Sequence, residues 1–396
     1  MDQEYFCKAF ITSNNSVSYG NTISFNTLFP FLTDFYPKFS SSGDLITIEG
    51  SNLTKDVEVY FGTRQAIIQE IVAESRIVVE LPKALDDVYE VSVSLRMNNE
   101  DLVFEDKFEY VTGEWTKEGE FFNSELYTET LLFQSNDNMY FGLGQDNIGS
   151  NNNNIWSMNL QTKEWSISSF QSEGRFPFSS GSYFGNGAVE ISLFTPLNSN
   201  KFWYFDGSSF LNKSDTPFSL YKSISFETSD EVLVLGGLTA GGGANPNIYA
   251  YNKSLDSWSI VGLLPFSVQN PLPHFQLENN LYVHNKENNS LWKYDMSQNL
   301  WEHFIDYPEK IENGGLGVVI NNKVFIGLFD LDNKIWELDV FNKIWKDKIE
   351  YPLSQGDKNN GYFVYEEKLF LLKNLFQIRD QPNEPMVLWS FDPEKL

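Results

Sequence analysis

The sequence contains one cysteine, five arginines and three histidines in 396 residues. Because Cys7 is the single cysteine, an intrachain disulfide framework and any zinc or iron–sulfur site built from cysteines are excluded. No stretch approaches about 18 uninterrupted apolar residues, and the N-terminus lacks a basic start followed by an apolar run. The sequence therefore predicts neither a signal peptide nor direct insertion of this chain into a membrane.

Basic residues are also scarce, since 28 Lys and Arg stand against 54 Asp and Glu and give a formal net charge of −26. Phosphate binding needs clustered Lys and Arg, so we expect no nucleic-acid partner, and anionic membrane surfaces are equally poor partners. Hydrophobic residues make up 41% and aromatic residues 16% of the chain. This composition is that of a globular protein, and the abundance of β-favouring aromatics indicates an all-β fold.

Metal, nucleotide and nucleophilic chemistry have little support. His274, His284 and His303 are not paired at metal-ligand spacing, and we expect each of them to pack or to lie at the surface. The sequence has no P-loop, no GxSxG elbow and no GxGxxG motif in the context of a strand. We therefore predict no cofactor.

A spacing of nine residues between two aromatic side chains recurs along the second part of the chain. The pairs are Trp156 and Trp165, Tyr249 and Trp258, Trp292 and Trp301, and Trp336 and Trp345. Nine residues are two and a half helical turns, which would place the two rings on opposite sides of a helix. The last pair lies in the repeated tetrapeptide NKIW with turn-forming Asp and Asn between, so we predict two successive antiparallel strands.

The repeat extends to further units. Trp203 and Phe210 supply a degenerate second unit, and Trp389 supplies a sixth, whose partner strand is predicted at the start of the region around Trp115. Successive units begin about 43 to 47 residues apart, which is within the range for propeller blades. A hairpin with a short polar turn precedes each aromatic pair, so each unit is predicted to have four strands.

This pattern resembles a kelch-type β-propeller. The glycine pair of that family is kept as Gly236 and Gly237, while Gly142, Gly144 and Gly327 are relics of it. The resemblance implies a six-bladed propeller over residues 113–396 that is closed by its N-terminal strand, which removes free sheet edges.

Residues 29–111 resemble an IPT/TIG domain, an immunoglobulin-like sandwich. The resemblance rests on the order of Pro37, Gly43, Ile46, Ile48, Gly50, Asn52, Phe61, Gly62, Pro82, Phe108 and Tyr110. In nuclear transcription factors such domains bind DNA, which the acidity of this chain disfavours. Their other common use, as a spacer in surface proteins, is the one we expect here.

Residues 1–27 look like the last two strands of a fibronectin-III-like module of bacterial surface proteins. Two strands cannot hold a sandwich core. Either the module and an export signal begin upstream, which we favour, or the hairpin docks on the TIG domain. The favoured alternative implies an extracellular or cell-surface location.

The candidate binding residues lie in polar loops that join the second strand of a unit to the third, and in the connections between units. Asp146, Asn147, Asp330 and Asp332 are the nominees for sugar hydroxyls, although Asn and Asp are also favoured in turns for backbone reasons. Arg175 and Arg379 are the candidates for an anionic ligand, because a guanidinium matches a carboxylate. Ordinary surface ion pairs are the competing explanation for both arginines.

The expected function is non-enzymatic binding of a glycan or a protein by the elaborated face of the propeller. The alternative is a sugar-active enzyme, an epimerase or a lyase acting on an acidic carbohydrate, because the six-bladed sialic-acid epimerases are similar in blade number. A cytosolic interaction scaffold is the third possibility.

A copper radical oxidase is excluded by the absence of a cysteine from the propeller region. An enzyme should cluster Arg, Glu, His or Tyr at the central pocket, and a binding protein need not.

Overall fold

The computed structural model describes residues 4–26, 28–85, 88–97, 100–121, 131–143, 154–169, 183–184, 187–191, 200–239, 241–269, 271–311, 314–329, 332–352, 361–373 and 386–395. Within these ranges the chain is all β and contains no helix. It divides into two compact units: unit 1 is Met1–Thr112 with Glu394–Leu396, and unit 2 is Gly113–Pro393.

Unit 1 begins with a hairpin, and the strands after it form a two-layered structure. Its strands are β1 (Glu4–Ser13), β2 (Ser16–Asn26), β3 (Phe31–Tyr36), β4 (Phe39–Ser40), β5 (Leu45–Ser51), β6 (Glu58–Phe61), β7 (Arg64–Gln65), β8 (Ile67–Val72), β9 (Arg76–Glu80), β10 (Glu90–Met97) and β11 (Glu100–Tyr110). One sheet has the order β3-β5-β9-β8, and the other has the order β4-β11-β10-β6-β7.

The two sheets enclose one hydrophobic core. Alternate residues of each strand are buried, as the period of a half-buried strand requires, for example Ile46 and Ile48 of β5 and Val93 and Leu95 of β10. Gly50 is needed for close backbone approach, because a Cβ atom there would lie 2.3 Å from the Phe31 carbonyl oxygen. Phe61 packs edge-on against Phe108 with ring centroids 5.1 Å apart.

Every residue of β1 and β2 is exposed to solvent on both faces of the hairpin. Tyr5 stacks on Phe25 across the two strands, and Phe10 lies beside Tyr19. Among the described residues no third strand pairs with the hairpin. Both alternatives for this hairpin, a fibronectin-like module that begins upstream and docking on the TIG domain, stay predictions.

Unit 2 contains the remaining strands: β12 (Glu114–Phe121), β13 (Leu131–Ser135), β14 (Asn138–Gly142), β15 (Asn154–Asn159), β16 (Trp165–Ser169), β17 (Tyr183–Phe184), β18 (Gly187–Ile191), β19 (Asn200–Phe205), β20 (Phe210–Lys213), β21 (Leu220–Tyr221), β22 (Ile224–Glu227), β23 (Glu231–Leu235), β24 (Leu238–Thr239), β25 (Asn247–Asn252), β26 (Ser257–Leu263), β27 (His274–Leu277), β28 (Asn280–Asn285), β29 (Ser290–Asp295), β30 (Leu300–Asp306), β31 (Gly314–Ile320), β32 (Lys323–Phe329), β33 (Ile335–Asp339), β34 (Ile344–Asp347), β35 (Gly361–Tyr365), β36 (Lys368–Lys373) and β37 (Met386–Asp392).

The described strands of unit 2 form six four-stranded antiparallel sheets and the small pair β21-β24. We number the sheets in chain order: sheet 1 (β13 to β16), sheet 2 (β17 to β20), sheet 3 (β22, β23, β25, β26), sheet 4 (β27 to β30), sheet 5 (β31 to β34) and sheet 6 (β35, β36, β37, β12). In sheet 6 the fourth position is taken by β12, with Trp115 opposite Phe391. The first strand of unit 2 thus pairs with its last.

The predicted aromatic pairs lie on the third and fourth strands of their sheets. In sheet 5, Leu338 is opposite Trp345 and Trp336 is one diagonal step away, so the two indoles of the NKIW repeat meet on one face, with ring centroids 6.1 Å apart. The prediction of two successive antiparallel strands for NKIW is confirmed. The same pairing holds in sheets 1, 3 and 4.

The fourth-strand tryptophans also connect neighbouring sheets. The Trp345 indole donates a hydrogen bond of 3.0 Å to the carbonyl of Asp306, the last residue of β30. Equivalent bonds join Trp258 to Ser214, Trp301 to Leu263 and Trp115 to Ile349. Trp115 of β12 therefore makes the contact that a fourth-strand tryptophan makes elsewhere.

Among the described residues, five hydrophobic clusters lie between sheets that are consecutive in number. A sixth joins sheet 6 to sheet 1, through Phe363, Leu372 and Leu388 on one side and Met139 and Phe141 on the other. Their first strands are neighbours as well: β17 lies against β22, β22 against β27, β27 against β31, β31 against β35, and β35 against β13.

Candidate functional site

The two ends of the sheets in unit 2 differ in the length of their connections. The first-to-second turns are short, such as 321–322 and 366–367, and the third-to-fourth turns are little longer, such as 296–299. The second-to-third connections at the other end run over 143–153, 192–199, 236–246, 286–289, 330–334 and 374–385. We call this end of the sheets the loop end. Sheet 4 departs from the predicted pattern, because its connection at 286–289 is as short as a turn.

Of the six nominated residues, the structure describes Asp332. The other five, Asp146, Asn147, Arg175, Asp330 and Arg379, lie outside the described residues. The Oδ1 atom of Asp332 accepts a hydrogen bond of 2.9 Å from the backbone N–H of Lys334. This carboxylate thus stabilises the turn between β32 and β33, as an Asx turn does. A role for Asp332 in ligand binding stays a prediction.

Other side-chain amides at the loop end also form hydrogen bonds with backbone groups. The Asn245 amide donates to the carbonyls of Gly236 and Asn247, and the Asn333 amide donates to the carbonyl of Tyr351. Asn289 accepts from the Ile311 N–H and donates to the Glu309 carbonyl. Backbone chemistry accounts for these side chains, so the density of Asn at this end is weak evidence for a ligand.

The strand registers define a set of equivalent positions on the first strands. In each sheet, the repeat aromatic of the third strand pairs with one residue of the second strand. That second-strand residue pairs in turn with one residue of the first strand. The first-strand residues found in this way are Leu132, Tyr183, Ser225, His274, Gly317 and Tyr362. We call them the first-strand set. Four of the six residues are polar, and none is acidic or basic apart from His274. The first strands begin at the loop end, and five of the six residues stand at the first or second position of their strand.

Contacts join four members of this region from sheet to sheet. The Phe226 ring, next to Ser225, meets the His274 ring edge-on with centroids 5.5 Å apart. Gly317 lies against the His274 backbone, since a Cβ atom there would be 3.1 Å from the His274 nitrogen. A side chain at Gly317 would also meet the Phe275 ring at 3.2 Å, so neighbouring atoms fill this position. Tyr362 of sheet 6 packs against the hydrophobic cluster that the strand of Gly317 helps to form.

A hydrogen bond fixes which nitrogen of His274 carries the proton. The Nδ1 atom of His274 is 2.9 Å from the Leu272 carbonyl oxygen, which can only accept, so Nδ1 carries the proton and Nε2 carries a lone pair. Burial lowers the pKa of His274 below its ordinary value, against the opposing effect of the Leu272 carbonyl. Burial raises the pKa of Tyr362 to about 12, although the Gly317 N–H lowers it in part. Near neutral pH both side chains are uncharged.

The other two histidines have different surroundings. His303 is exposed, and its Nε2 atom lies 2.8 Å from the Asp306 carboxylate. His284 is buried edge-on against Tyr307 at 5.3 Å, and burial lowers its pKa to about 4, with the nearby Lys286 charge acting in the same direction. In the part of the chain that is described, no group of His, Cys, Asp and Glu side chains could hold a metal ion.

A buried ion pair lies near the boundary of sheets 5 and 6. The Lys348 ammonium is 2.7 Å from the Glu337 carboxylate, and both side chains are almost completely buried. The Lys373 ammonium lies 5.0 Å from the centroid of Tyr351, whose pKa is raised by burial. Buried pairs of this kind are weak evidence for stability, because desolvation opposes the Coulomb attraction.

Comparison with known families concerns the sandwich of unit 1. The model of the IPT/TIG domain matches residues 30–110. Residues 30–110 form an IPT/TIG domain. The TIG domain comprises β3 to β11, and the cis peptide bond between Tyr36 and Pro37 lies at its first strand. The buried Ile46, Ile48, Phe61 and Phe108, on which the predicted resemblance rested, all belong to its core.

No curated protein matches the chain. Among solved structures, a protein of unknown function from Bacteroides thetaiotaomicron is similar, with 11% identity and a TM-score of 0.46, over 91% of this chain and 98% of that one. A second, the structure of YjhT, has 12% identity and a TM-score of 0.47, over 63% of this chain and 91% of that one. Across the described ranges, no helix meets the length and apolarity that a membrane span needs.

Proposed function

We propose that unit 2 is a six-bladed, kelch-type β-propeller and that its loop end binds an extracellular glycan, with the TIG domain as a spacer. Three observations support the propeller. The six sheets pack through six consecutive hydrophobic clusters, one of which joins the last sheet to the first. The first strands lie against one another in order from β17 to β35, and β35 lies against β13. Trp115 takes the place of a fourth-strand tryptophan in sheet 6, through its bond of 3.1 Å to the Ile349 carbonyl.

The proposal of binding rests on the difference in connection length between the two ends of the sheets. Stability alone requires only short turns, and these are found at 321–322 and 366–367, whereas the loop end has connections such as 236–246 and 374–385. Segments added to one face of a repeat architecture often form its binding side. We infer a non-enzymatic surface protein in which these loops and the first strands beneath them contact the ligand; a protein ligand is the alternative partner.

A sugar-active enzyme is the second candidate function, favoured by one observation. His274 is held with a lone pair on Nε2 at the entry of the first strands. A neutral imidazole in such a place is able to accept a proton from a substrate hydroxyl. Incubation of the full chain with any sugar that it binds, followed by NMR of the sugar, distinguishes the two: an unchanged spectrum supports binding alone, and a new product supports catalysis.

The test of the proposed binding uses the full chain on an array of neutral, acidic and sialylated glycans, beside a variant in which Arg175 and Arg379 are both alanine. We expect a defined set of glycans to be bound. Loss of that binding in the double variant would assign an acidic sugar to the two arginines. Failure of the full chain to bind any glycan would overturn the carbohydrate proposal in favour of a protein partner.

A further inference from the structure

We propose that His284 makes the contact between sheets 4 and 5 sensitive to acid, so that protonation of its imidazole loosens the loop end of these two sheets. His284 is the last residue but one of β28, where that strand reaches the loop end, and it is 5% exposed. No ligand takes part in this response, so it stands apart from the proposed binding function.

Tyr307 joins the surroundings of His284 to sheet 5. Its ring meets the His284 imidazole edge-on with centroids 5.3 Å apart, and it stacks on Trp345 of β34, also at 5.3 Å. It lies 5.9 Å from the Phe329 ring of β32. The Trp345 indole donates to the carbonyl of Asp306, the residue before Tyr307. A change at His284 therefore reaches the contact between the two sheets through a single ring.

The polar side-chain atoms at this contact lack a protein partner among the described residues. These atoms are Nδ1 of His284 and Oη of Tyr307, and both are buried. A neutral imidazole carries one N–H and one lone pair, whereas an imidazolium carries two N–H groups and a full charge. Burial of an unpaired charge costs far more than burial of an unpaired neutral group. The neutral form of His284 therefore fits this contact, and the charged form destabilises it.

The groups around His284 do not offset a positive charge. Within sheet 4, its partner on β29 is the apolar Leu291. The charged group that acts on the imidazole is the Lys286 ammonium, which has the same sign. The carboxylates that flank Tyr307 along the chain lie in other pairs, Asp306 with His303 at 2.8 Å and Glu309 with Lys334 at 2.9 Å. An imidazolium at position 284 would therefore lack an anion among these groups.

The direction of the pH effect follows from the difference in the pKa of His284 between the folded and the unfolded chain. Burial lowers the pKa of folded His284 to about 4, Lys286 adds to this effect, and the Ser290 backbone opposes it. In the unfolded chain the imidazole has its ordinary pKa of about 6.5. Because the unfolded state binds the proton more readily, the stability is complete above pH 6.5 and is lost as the pH falls from 6.5 towards 4. At pH 5, His284 alone should lower the ratio of folded to unfolded protein about 30-fold.

The experiment compares urea unfolding of the full chain at pH 7 and pH 5, followed by the fluorescence of the ten tryptophans, which all lie in unit 2. His284→Gln replaces the titrating ring by a neutral polar side chain, and His284→Phe keeps a ring without nitrogen. His303→Gln makes the same change as the first variant at an exposed histidine. The backbone amides of Tyr307 and Leu160 are both hydrogen-bonded, so their hydrogen exchange reports on the contact of sheets 4 and 5 and on sheet 1.

Between pH 7 and pH 5, we expect the folded-to-unfolded ratio of the wild type to fall about 30-fold more than that of His284→Gln or His284→Phe. His303→Gln should lose as much as the wild type, within about threefold. In the wild type, the Tyr307 amide should lose more of its protection than the Leu160 amide. Equal acid losses in the wild type and the His284 variants would overturn the proposal. If neither variant folds, the exchange measurement decides, and a parallel loss of protection at Tyr307 and Leu160 would overturn the proposal.

Discussion

Trp115→Ala is expected to lower the free energy of unfolding of unit 2 by about 3 kcal/mol, the lower part of the range for loss of a large aromatic side chain, because Trp115 is only partly buried. The indole packs against Tyr351 and Phe391, each with centroids 4.8 Å away, and donates to the Ile349 carbonyl. The substitution therefore removes contacts to two sheets at once. It weakens the pairing of the first strand of unit 2 with its last.

Urea unfolding followed by tryptophan fluorescence measures this effect in unit 2 alone, since all ten tryptophans lie at or after position 115. Phe341→Ala is the matched control, because Phe341 lies in the β33–β34 turn and is 93% exposed. We expect that control to change stability by less than about 0.5 kcal/mol. Equal effects of the two substitutions would mean that β12 does not hold sheet 6 to sheet 5 in solution.

Gly327→Ala is the second substitution with a large expected effect, about 3 kcal/mol or more of destabilisation. A Cβ atom at Gly327 would lie 2.3 Å from the Lys334 carbonyl oxygen and 2.7 Å from the Ile335 Cα. Both are backbone atoms at the start of the third strand, one of them just before it, so the clash cannot be relieved by a side-chain rotation. The second and third strands of sheet 5 would have to separate where they enter the loop end.

Gly241→Ala is the control for this prediction, because the nearest atom to its added Cβ is the Thr239 Oγ1, at 4.0 Å. We expect it to leave the urea midpoint of unit 2 nearly unchanged. A Gly327→Ala protein as stable as Gly241→Ala would contradict the strand geometry described for sheet 5. Gly142 occupies the equivalent place in sheet 1, where an added Cβ would lie 2.2 Å from the Asn154 carbonyl oxygen.

The repeat in the sequence predicted much of unit 2 because its strongest signals are local. Two-residue turns such as Asn321-Asn322 and Glu366-Glu367 take the positive φ angles that tight hairpins need. Asp295 ends a third strand and accepts from the N–H groups of Ser297 and Gln298, which fixes the turn before the fourth strand. Such interactions join residues a few positions apart, so the residue types reveal them.

The first-strand set could not be predicted from the sequence, because its members lie far apart along the chain. Apart from the two tyrosines, the members of the set differ in residue type, and their equivalence follows from two successive strand pairings in each sheet: Leu132, Tyr183, Ser225, His274, Gly317 and Tyr362. The prediction for His274 was packing or a surface role, because its isolation along the chain excluded metal ligation. Its Leu272 partner is two residues away, but the Phe226 and Gly317 contacts come from other sheets.

The glycines show how far a family pattern informs structure. Gly236 has a φ of 66°, and an added Cβ would lie 2.5 Å from the Val268 carbonyl oxygen. The absence of a side chain at Gly236 therefore lets the connection between sheets 3 and 4 pass close to its backbone. Gly327 serves close approach within one sheet instead. The sequence grouped the two as members of one motif, whereas the structure gives each a separate steric reason.

The most direct test of the binding account is the proton–nitrogen NMR spectrum of the backbone amides in the full chain, with and without the glycan that binds best on the array. Asn245 and Asn333 report on the loop end, and Asn321 and Glu366 lie in turns at the opposite end of the sheets. We predict that the amide resonances of Asn245 and Asn333 move on binding, while those of Asn321 and Glu366 stay in place. A glycan that saturates the protein and moves only the resonances of the opposite end would contradict the account.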